Sequence, residues 1–297
     1  MTLRCWRGRS KNLPFDAAGR VVLFATPFPV HVVANPVGSD HLILFLHGLD
    51  GHWSESWGQP GTPGSFTHRI SAHFAKAAVA SVAYPSSMAG FATGAHRTAC
   101  TVAEAWADQL AADCLGRYAS IAFVTHCLGG LVTLQALRRL AERALVARQG
   151  QKVGKSAFQQ GDGQASTRLF CLLMDTPLRW PKQELPEPKA ILRVMHQLGI
   201  TETDLAANLA YFASPEGAET LQLASVASSV QNWLSPFDPL ALAQPATSWR
   251  LPVRHEDLSR APACGPFEPL SIAVQCLEIF FSGCRAAPPS ILSLNNC

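Results

Sequence analysis

Residues 121–130 read IAFVTHCLGG and run directly into LVTLQALRRL at 131–140. Ile121 to Val124 are apolar without interruption, as in a strand buried on both faces. Leu131, Leu134, Leu137 and Leu140 recur at helical spacing and give the following segment an apolar stripe. A strand therefore turns into a helix through Cys127. A side chain on such a corner is held on a strained backbone, exposed at the carboxyl edge of the sheet beside the free N–H groups of a helix N-terminus. That is where a nucleophile sits. The strand–turn–helix motif is usually written GxSxG; here its three marked positions are Thr125, Cys127 and Gly129.

Outward from the turn, strand and helix signals alternate, which predicts an α/β fold: a mostly parallel central sheet flanked by helices. Short strands are expected at Val21–Ala25 and Val30–Ala34. A buried strand is expected at Leu42–Leu46 (LILFL), followed by a loop at 47–64 rich in Gly, Trp, Ser and Pro. A helix over about 66–78 precedes a strand at 79–83, which Tyr84-Pro85-Ser86-Ser87 stops. Residues 99–115 read as helix. After the cysteine turn, a helix spans about 130–147. Residues 149–166 (QGQKVGKSAFQQGDGQAS) are polar and glycine-rich, the composition of a flexible surface insertion. Leu169–Met174 is the next buried strand, ended by Asp175-Thr176-Pro177. Residues 188–224 read as helix broken at Gly199 and Ser214-Pro215, and a segment of about 184–224 is expected to form a helical cap or lid. Weak strand signals follow near 226–233 and 249–253, and 270–281 is an apolar helix.

The 297 residues are 48% hydrophobic and 15% charged, with a formal net charge of +3. That length and composition suit one large domain over 1–297 and exclude disorder of the whole chain. Lys and Arg are scattered and not interleaved with aromatic residues, so a nucleic-acid partner is not expected. Arg4, Arg7 and Arg9 read as a solvated tail. The N-terminal residues lack the apolar core of a secretory signal, and no run of about 20 apolar residues exists to span a membrane. A soluble, cytoplasmic protein is expected. The nine cysteines show no CxxC pairing, which suits reduced thiols, with Cys100, Cys114, Cys171 and Cys276 packed in apolar segments.

Acyl transfer needs a nucleophile, a base, a group that orients the base, and N–H donors for the oxyanion. The strand at 42–46 ends in His47-Gly48-Leu49-Asp50-Gly51. A glycine there lets the backbone turn an N–H toward the neighbouring corner, so the Leu49 and Leu128 amides are the expected oxyanion hole. Trp53, Trp57 and Phe66 either line an acyl pocket beside that loop or pack it.

LILFLHGLDG (42–51), SVAYPSS (81–87) and FVTHCLGGLVTLQAL (123–137), in that order, resemble the α/β-hydrolase fold, in its lipase- and esterase-like branch. The likeness extends over roughly 20–281. It implies a Cys-His-Asp triad with cysteine in place of the usual serine, and a covalent acyl-enzyme. LLMDTPLRW (172–180) looks like a GTPH-type segment of that branch, with Asp175 replacing its glycine and Leu178 its histidine. His255 in VRHEDLSR is placed like the family's late catalytic histidine, and nucleophile, acid and histidine follow in the family's order. His255 is thus the expected base, with His196 in the cap as competitor. His126 is excluded because adjacent residues at the turn point to opposite sides. Asp238 in SPFDPLA is the expected acid and Asp175 the alternative; Asp257 lies too close to His255 in sequence.

The function expected is hydrolysis of a small-molecule ester or thioester, with no cofactor. The HCLGG turn is also similar to the cysteine box of polyhydroxyalkanoate synthases, which keeps acyl transfer open, as does ligand binding by a fold that has lost turnover. His47, His52, His126 and Cys127 lack the spacing of a zinc site, so no metal is expected. Substrate identity and oligomeric state stay open.

Overall fold

The structure is a computed structural model that describes residues 27–58, 62–149, 167–178, 180, 188–228, 248–251, 257–260 and 268–283. Among the described residues seven strands form one sheet: β1 (Val30–Ala34), β2 (His41–Leu46), β3 (Ala78–Val82), β4 (Ser120–His126), β5 (Arg168–Met174), β6 (Leu221–Ser228) and β7 (Ser248–Leu251). Their spatial order is β1-β3-β2-β4-β5-β6-β7. β1 runs antiparallel to β3 and every other pairing is parallel. The six parallel strands thus present their carboxyl ends along one edge, where an open α/β sheet carries its binding crevice.

The helices are α1 (Phe66–His73), α2 (Met88–Ala92), α3 (Ala99–Asp113), α4 (Leu128–Gln149), α5 (Pro188–Gln197), α6 (Glu202–Ala213), α7 (Pro215–Thr220) and α8 (Glu268–Ser282). Side chains alternate across a strand, and β2 shows what that does. Leu42, Leu44 and Leu46 join the apolar layer formed with α3 and α4. Ile43 and Phe45 join the opposite layer, formed with α1 and α8. All seven residues of β4 are buried, as continuous apolar runs in doubly covered parallel strands require.

Three boundaries differ from those expected. The first helix ends at His73 because Ala78 is taken into the ladder of β3 opposite Leu42. The helix after the cysteine begins at Leu128, with both glycines inside its first turn. The helical stretch after β5 ends at Thr220, not 224: Leu221 to Val226 pair in register with Leu169 to Met174. The need of β5 for a ladder partner overrides the helix-favouring residues of that segment. The expected strand at 21–25, the arginines of the N-terminal tail, residues 150–166 of the expected insertion, and both Asp238 and His255 lie outside the described residues.

Helices α5 and α6 lie between β5 and β6 in the chain and pack on the α3–α4 layer through Met195, Leu198, Ile200, Leu205 and Phe212. Polar contacts also tie them down. The Ala99 amide donates to the Leu198 carbonyl at 2.8 Å, and Nε of the buried Arg138 in α4 donates to Asn208 Oδ1 in α6 at 2.7 Å. Among the described residues no helix is long and apolar enough to cross a membrane.

Candidate active site

Backbone strain marks the place. Among the described residues three that are not glycine have positive φ: Asp50 at 52°, Cys127 at 51° and Asp175 at 50°. Each follows a strand of the central trio β2, β4 and β5, so all three stand at the same carboxyl edge. A side chain in the left-handed region costs about 1 kcal/mol or more and persists where its surroundings impose it.

At Cys127 those surroundings are visible. The Cys127 amide donates to the Met174 carbonyl at 2.9 Å, continuing the β4–β5 ladder one step past the strand. Its carbonyl accepts from the Gly130 amide at 3.1 Å, which turns the chain into α4. A β-carbon on Gly129 would stand 2.4 and 2.5 Å from the carbonyl oxygens of Leu46 and His47. One on Gly130 would stand 2.0 Å from Thr176 Oγ1. Both glycines are there because two neighbouring loops approach the first turn of α4 too closely for any side chain. Cys127 is thereby buried, 5% exposed, in the apolar layer that holds Leu128, with half-buried Leu49 and Trp180 packed against it.

The loop His47–Gly51 lies beside this turn. A β-carbon on Gly48 would stand 2.9 Å from His126 Nδ1 and 3.0 Å from Cys127 Cβ, so this glycine too serves close approach. His126 is buried at the end of β4. The Gly51 amide donates back to the Gly48 carbonyl at 3.1 Å and closes a tight turn around Leu49 and Asp50. Neither the Leu49 nor the Leu128 amide donates to a backbone carbonyl among the described turn and loop contacts. Leu128 opens α4, whose first amides have no partner within the helix and whose dipole favours negative charge there.

His47 is buried, stacked on Tyr84 with ring centroids 4.4 Å apart and planes 12° apart. Its Nδ1 lies 3.1 Å from the Gly48 carbonyl, an acceptor, so Nδ1 carries the proton. Burial lowers the imidazole to about 4, outweighing the opposing pull of the Gly48 carbonyl; His52 lowers it further. His47 is therefore neutral at pH 7 and a weak base. Burial raises the Tyr84 hydroxyl well above the ordinary tyrosine value, and the nearby Cys127 thiol adds to this. Tyr84 stays a hydrogen-bond donor.

Of the residues picked out from sequence, the structure brings together Cys127, Leu128, Leu49 and Asp175 at one edge. Asp175 is buried, 5% exposed, and its amide donates to the Val226 carbonyl at 2.8 Å. Leu178 is buried in the Cys127 layer. His196 is in α5, where its ring meets Trp180 edge to face with centroids 5.7 Å apart. Trp57 and Phe66 do not line the cysteine's side: both are fully buried against Phe45 in the opposite layer. Trp53 stacks on His31 at 3.8 Å. Among the described residues no group of three His, Cys, Asp or Glu side chains is arranged to hold a metal ion.

Sequence reasoning missed the segment after β3. Tyr84-Pro85-Ser86-Ser87 reads as a strand stop, yet it contacts the His47–Gly51 loop repeatedly. The available signal was positional: SVAYPSS follows a strand that must neighbour LILFL, so its end faces the HG loop.

Residues 37–160, which contain the HG loop and the cysteine turn, match the family described as "Putative serine esterase (DUF676)". No curated protein sequence matches the chain. Among solved structures, the esterase Est2 of the Planctomycetes species Thermogutta terrifontis, with propionate bound, is 14% identical. The match covers 91% of this chain and 96% of that one, with a TM-score of 0.50. The NocB thioesterase domain from the nocardicin cluster is 15% identical over 86% of this chain and 99% of its own, with a TM-score of 0.42. An α/β hydrolase from the metagenome of sediments from the lagoon of Mar Chica, Morocco, is 13% identical over 88% and 97%, with a TM-score of 0.48. The likeness to Est2 and the sheet order show an α/β-hydrolase fold.

Proposed function

We propose that the protein hydrolyses a small-molecule carboxylic ester or thioester through a covalent acyl-cysteine at Cys127. The observation that carries this is the strained Cys127 corner, built against a glycine loop, with the Leu49 and Leu128 amides donating to no backbone carbonyl among the described turn and loop contacts. The description of the matched family as a putative serine esterase and the name of the esterase Est2 support ester hydrolysis, with cysteine standing here at the nucleophile's position.

Cys127 transfers its proton to His255, and the thiolate attacks the acyl carbon. A carbon–sulfur bond forms and the carbonyl electron pair moves to oxygen, where the Leu49 and Leu128 amides receive the charge. Collapse of this intermediate breaks the bond to the leaving alkoxide or thiolate, which takes the proton from His255. A water then attacks the acyl-cysteine, giving its proton to the imidazole; the second collapse releases the acid and returns the thiol. Asp238 orients His255, and Asp175 is the alternative acid. The chain path supports these assignments. β6 and β7 run parallel to β4, so Ser228 and Leu251, the strand ends that precede Asp238 and His255 in the chain, stand at the cysteine's edge. Helices α5 to α7 serve as the cap, and the Cys127 layer around Leu49, Leu128, Leu178 and Trp180 suits an apolar acyl group.

Steady-state hydrolysis of a short-chain p-nitrophenyl ester and of the matching thioester tests the assignment in Cys127→Ala, Cys127→Ser, His255→Ala, Asp238→Asn and Asp175→Asn. The alanine variants at 127 and 255 should lose at least a hundredfold in kcat/KM, and of the two aspartate variants Asp238→Asn should lose more. Full activity in Cys127→Ala rules the mechanism out. Faster turnover in Cys127→Ser than in the wild type assigns the cysteine to a site built for serine. Acyl transfer to an added alcohol in preference to water would favour the transferase reading.

A further inference from the structure

The loop that carries the Leu49 amide is hydrogen-bonded on both sides of Leu49 by the segment that follows β3. The Tyr84 hydroxyl donates to the His47 carbonyl in a short hydrogen bond, and its ring stacks on the His47 ring at 4.4 Å. Beyond the turn, the Asp50 amide donates to the Ser86 carbonyl at 2.9 Å. The Met88 amide donates to Asp50 Oδ1 at 2.7 Å, and Ser86 Oγ donates to the Gly51 carbonyl at 3.2 Å. These contacts grip the loop before and after Leu49 and leave Leu49 between them. The same His47 carbonyl that accepts from Tyr84 also abuts Gly129, the second residue of α4. The tyrosine hydroxyl thus fixes a peptide group through which the HG loop leans on the cysteine corner.

We infer that Tyr84 is a positioning residue for oxyanion stabilisation: by its hydrogen bond to the His47 carbonyl and its stacking on the His47 ring it sets where the Leu49 amide points. This rests on the acyl-cysteine reading of the site. The charge that develops on the substrate oxygen is stabilised only by a donor already aimed at it, so a loop free to rotate its peptides loses transition-state binding while keeping ground-state binding. Ser86, Asp50 and Met88 anchor the far side of the turn; Tyr84 anchors the side nearest Cys127. Burial that keeps Tyr84 protonated keeps this donor in place through the neutral and mildly alkaline range.

Tyr84→Phe keeps the ring stack and removes only the donor, so it is the variant to use. Three rates are read on the full-length protein: p-nitrophenyl acetate turnover, alkylation of Cys127 by iodoacetamide, and amide hydrogen exchange of the peptide spanning 47–51. Alkylation displaces iodide at a saturated carbon and needs no oxyanion donor. Tyr84→Phe should lower kcat at least tenfold with KM within twofold, leave the alkylation rate within twofold, and speed exchange over 47–51. Unchanged kcat, or a fall in alkylation as large as the fall in kcat, overturns the inference, since the second result would mean a general disturbance of the corner. Slower turnover with unchanged exchange overturns it as well. A wild-type protein that iodoacetamide alkylates at Cys127 but that p-nitrophenyl acetate never acylates there removes the acyl-transfer reading itself. That result is read without the variant, so the two failures are told apart.

Discussion

Gly48 lies flat against Cys127: a β-carbon on the glycine would stand 3.0 Å from the cysteine's own β-carbon and 2.9 Å from His126 Nδ1. Both neighbours are fixed, one by the strained corner and the other by burial at the end of β4. The His47–Gly51 loop and the Cys127 turn therefore touch through a residue with no side chain. Gly48→Ala should force them apart, lower stability by about 1–3 kcal/mol as overpacking does, and slow ester turnover more than thiol alkylation. Thermal denaturation together with both rates checks this. An alanine variant with wild-type melting temperature and turnover would show that the approach is not needed.

Asn208 holds α6 on α4 through the buried Arg138, whose Nε donates to Asn208 Oδ1 at 2.7 Å. Arg138 also reaches Glu142 Oε1 at 2.5 Å, on the partly exposed side of α4. Asn208→Ala removes the acceptor and leaves a buried guanidinium N–H unsatisfied, at a cost of about 1–3 kcal/mol. The loss should be local. Limited proteolysis ought to cut within 188–220 faster in the variant, with the protection of β4 and β5 unchanged. Uniform loss of protection across the sheet would contradict the separate tethering of these helices.

His47 makes the protein acid-sensitive in a defined window. In the unfolded chain the imidazole titrates near 6.5, and burial lowers it to about 4 in the fold. Below 6.5 the unfolded state binds the proton that the folded state refuses. The contribution of neutral His47 is therefore intact above about pH 6.5 and is lost progressively between about 6.5 and 4. The full loss is about 3 kcal/mol, from about 1.4 kcal/mol per pKa unit. Urea denaturation of wild type and His47→Gln from pH 7.5 to 4 should show a shallower pH slope in the variant over that window. Parallel slopes would mean that His47 is not buried in its neutral form.

The other described thiols are held out of reaction. Burial pushes Cys171 and Cys276 up to about 12 and Cys114 higher still, while Cys100 is raised by partial burial. The thiolate is the reactive form, so iodoacetamide at neutral pH should leave the native peptides containing Cys114, Cys171 and Cys276 unmodified while Cys127 reacts. All should react after unfolding. Peptide mapping checks this, and native labelling of Cys171 as fast as that of Cys127 would contradict it.

Much of the framework is legible in the chain because chemistry and geometry coincide there. LILFL and IAFV are apolar without break, so they read as doubly covered strands, and the Cys-Leu-Gly-Gly run at 127–130 reads as a corner because little else fits such close packing. The side of the sheet on which Trp57 and Phe66 lie was not legible, since alternation along a strand says which residues share a face but not which face holds the site. Nor was the start of β6: GAETLQLA favours a helix locally, and only the unpaired edge of β5 makes it a strand. Tyr84 was missed because its role belongs to a contact between loops 37 residues apart, which no local pattern records. For Asp238 and His255 the chain order alone speaks.

The central claim is a covalent bond between an acyl group and Cys127. Wild-type protein mixed with p-nitrophenyl acetate, quenched in acid within the first turnover and examined by intact mass and peptide mapping should carry one acetyl group, on the peptide containing Cys127. His255→Ala should acquire it at least a hundredfold more slowly, and Cys127→Ala not at all. Ester turnover with no acetyl group on Cys127, persisting in Cys127→Ala, would contradict the account.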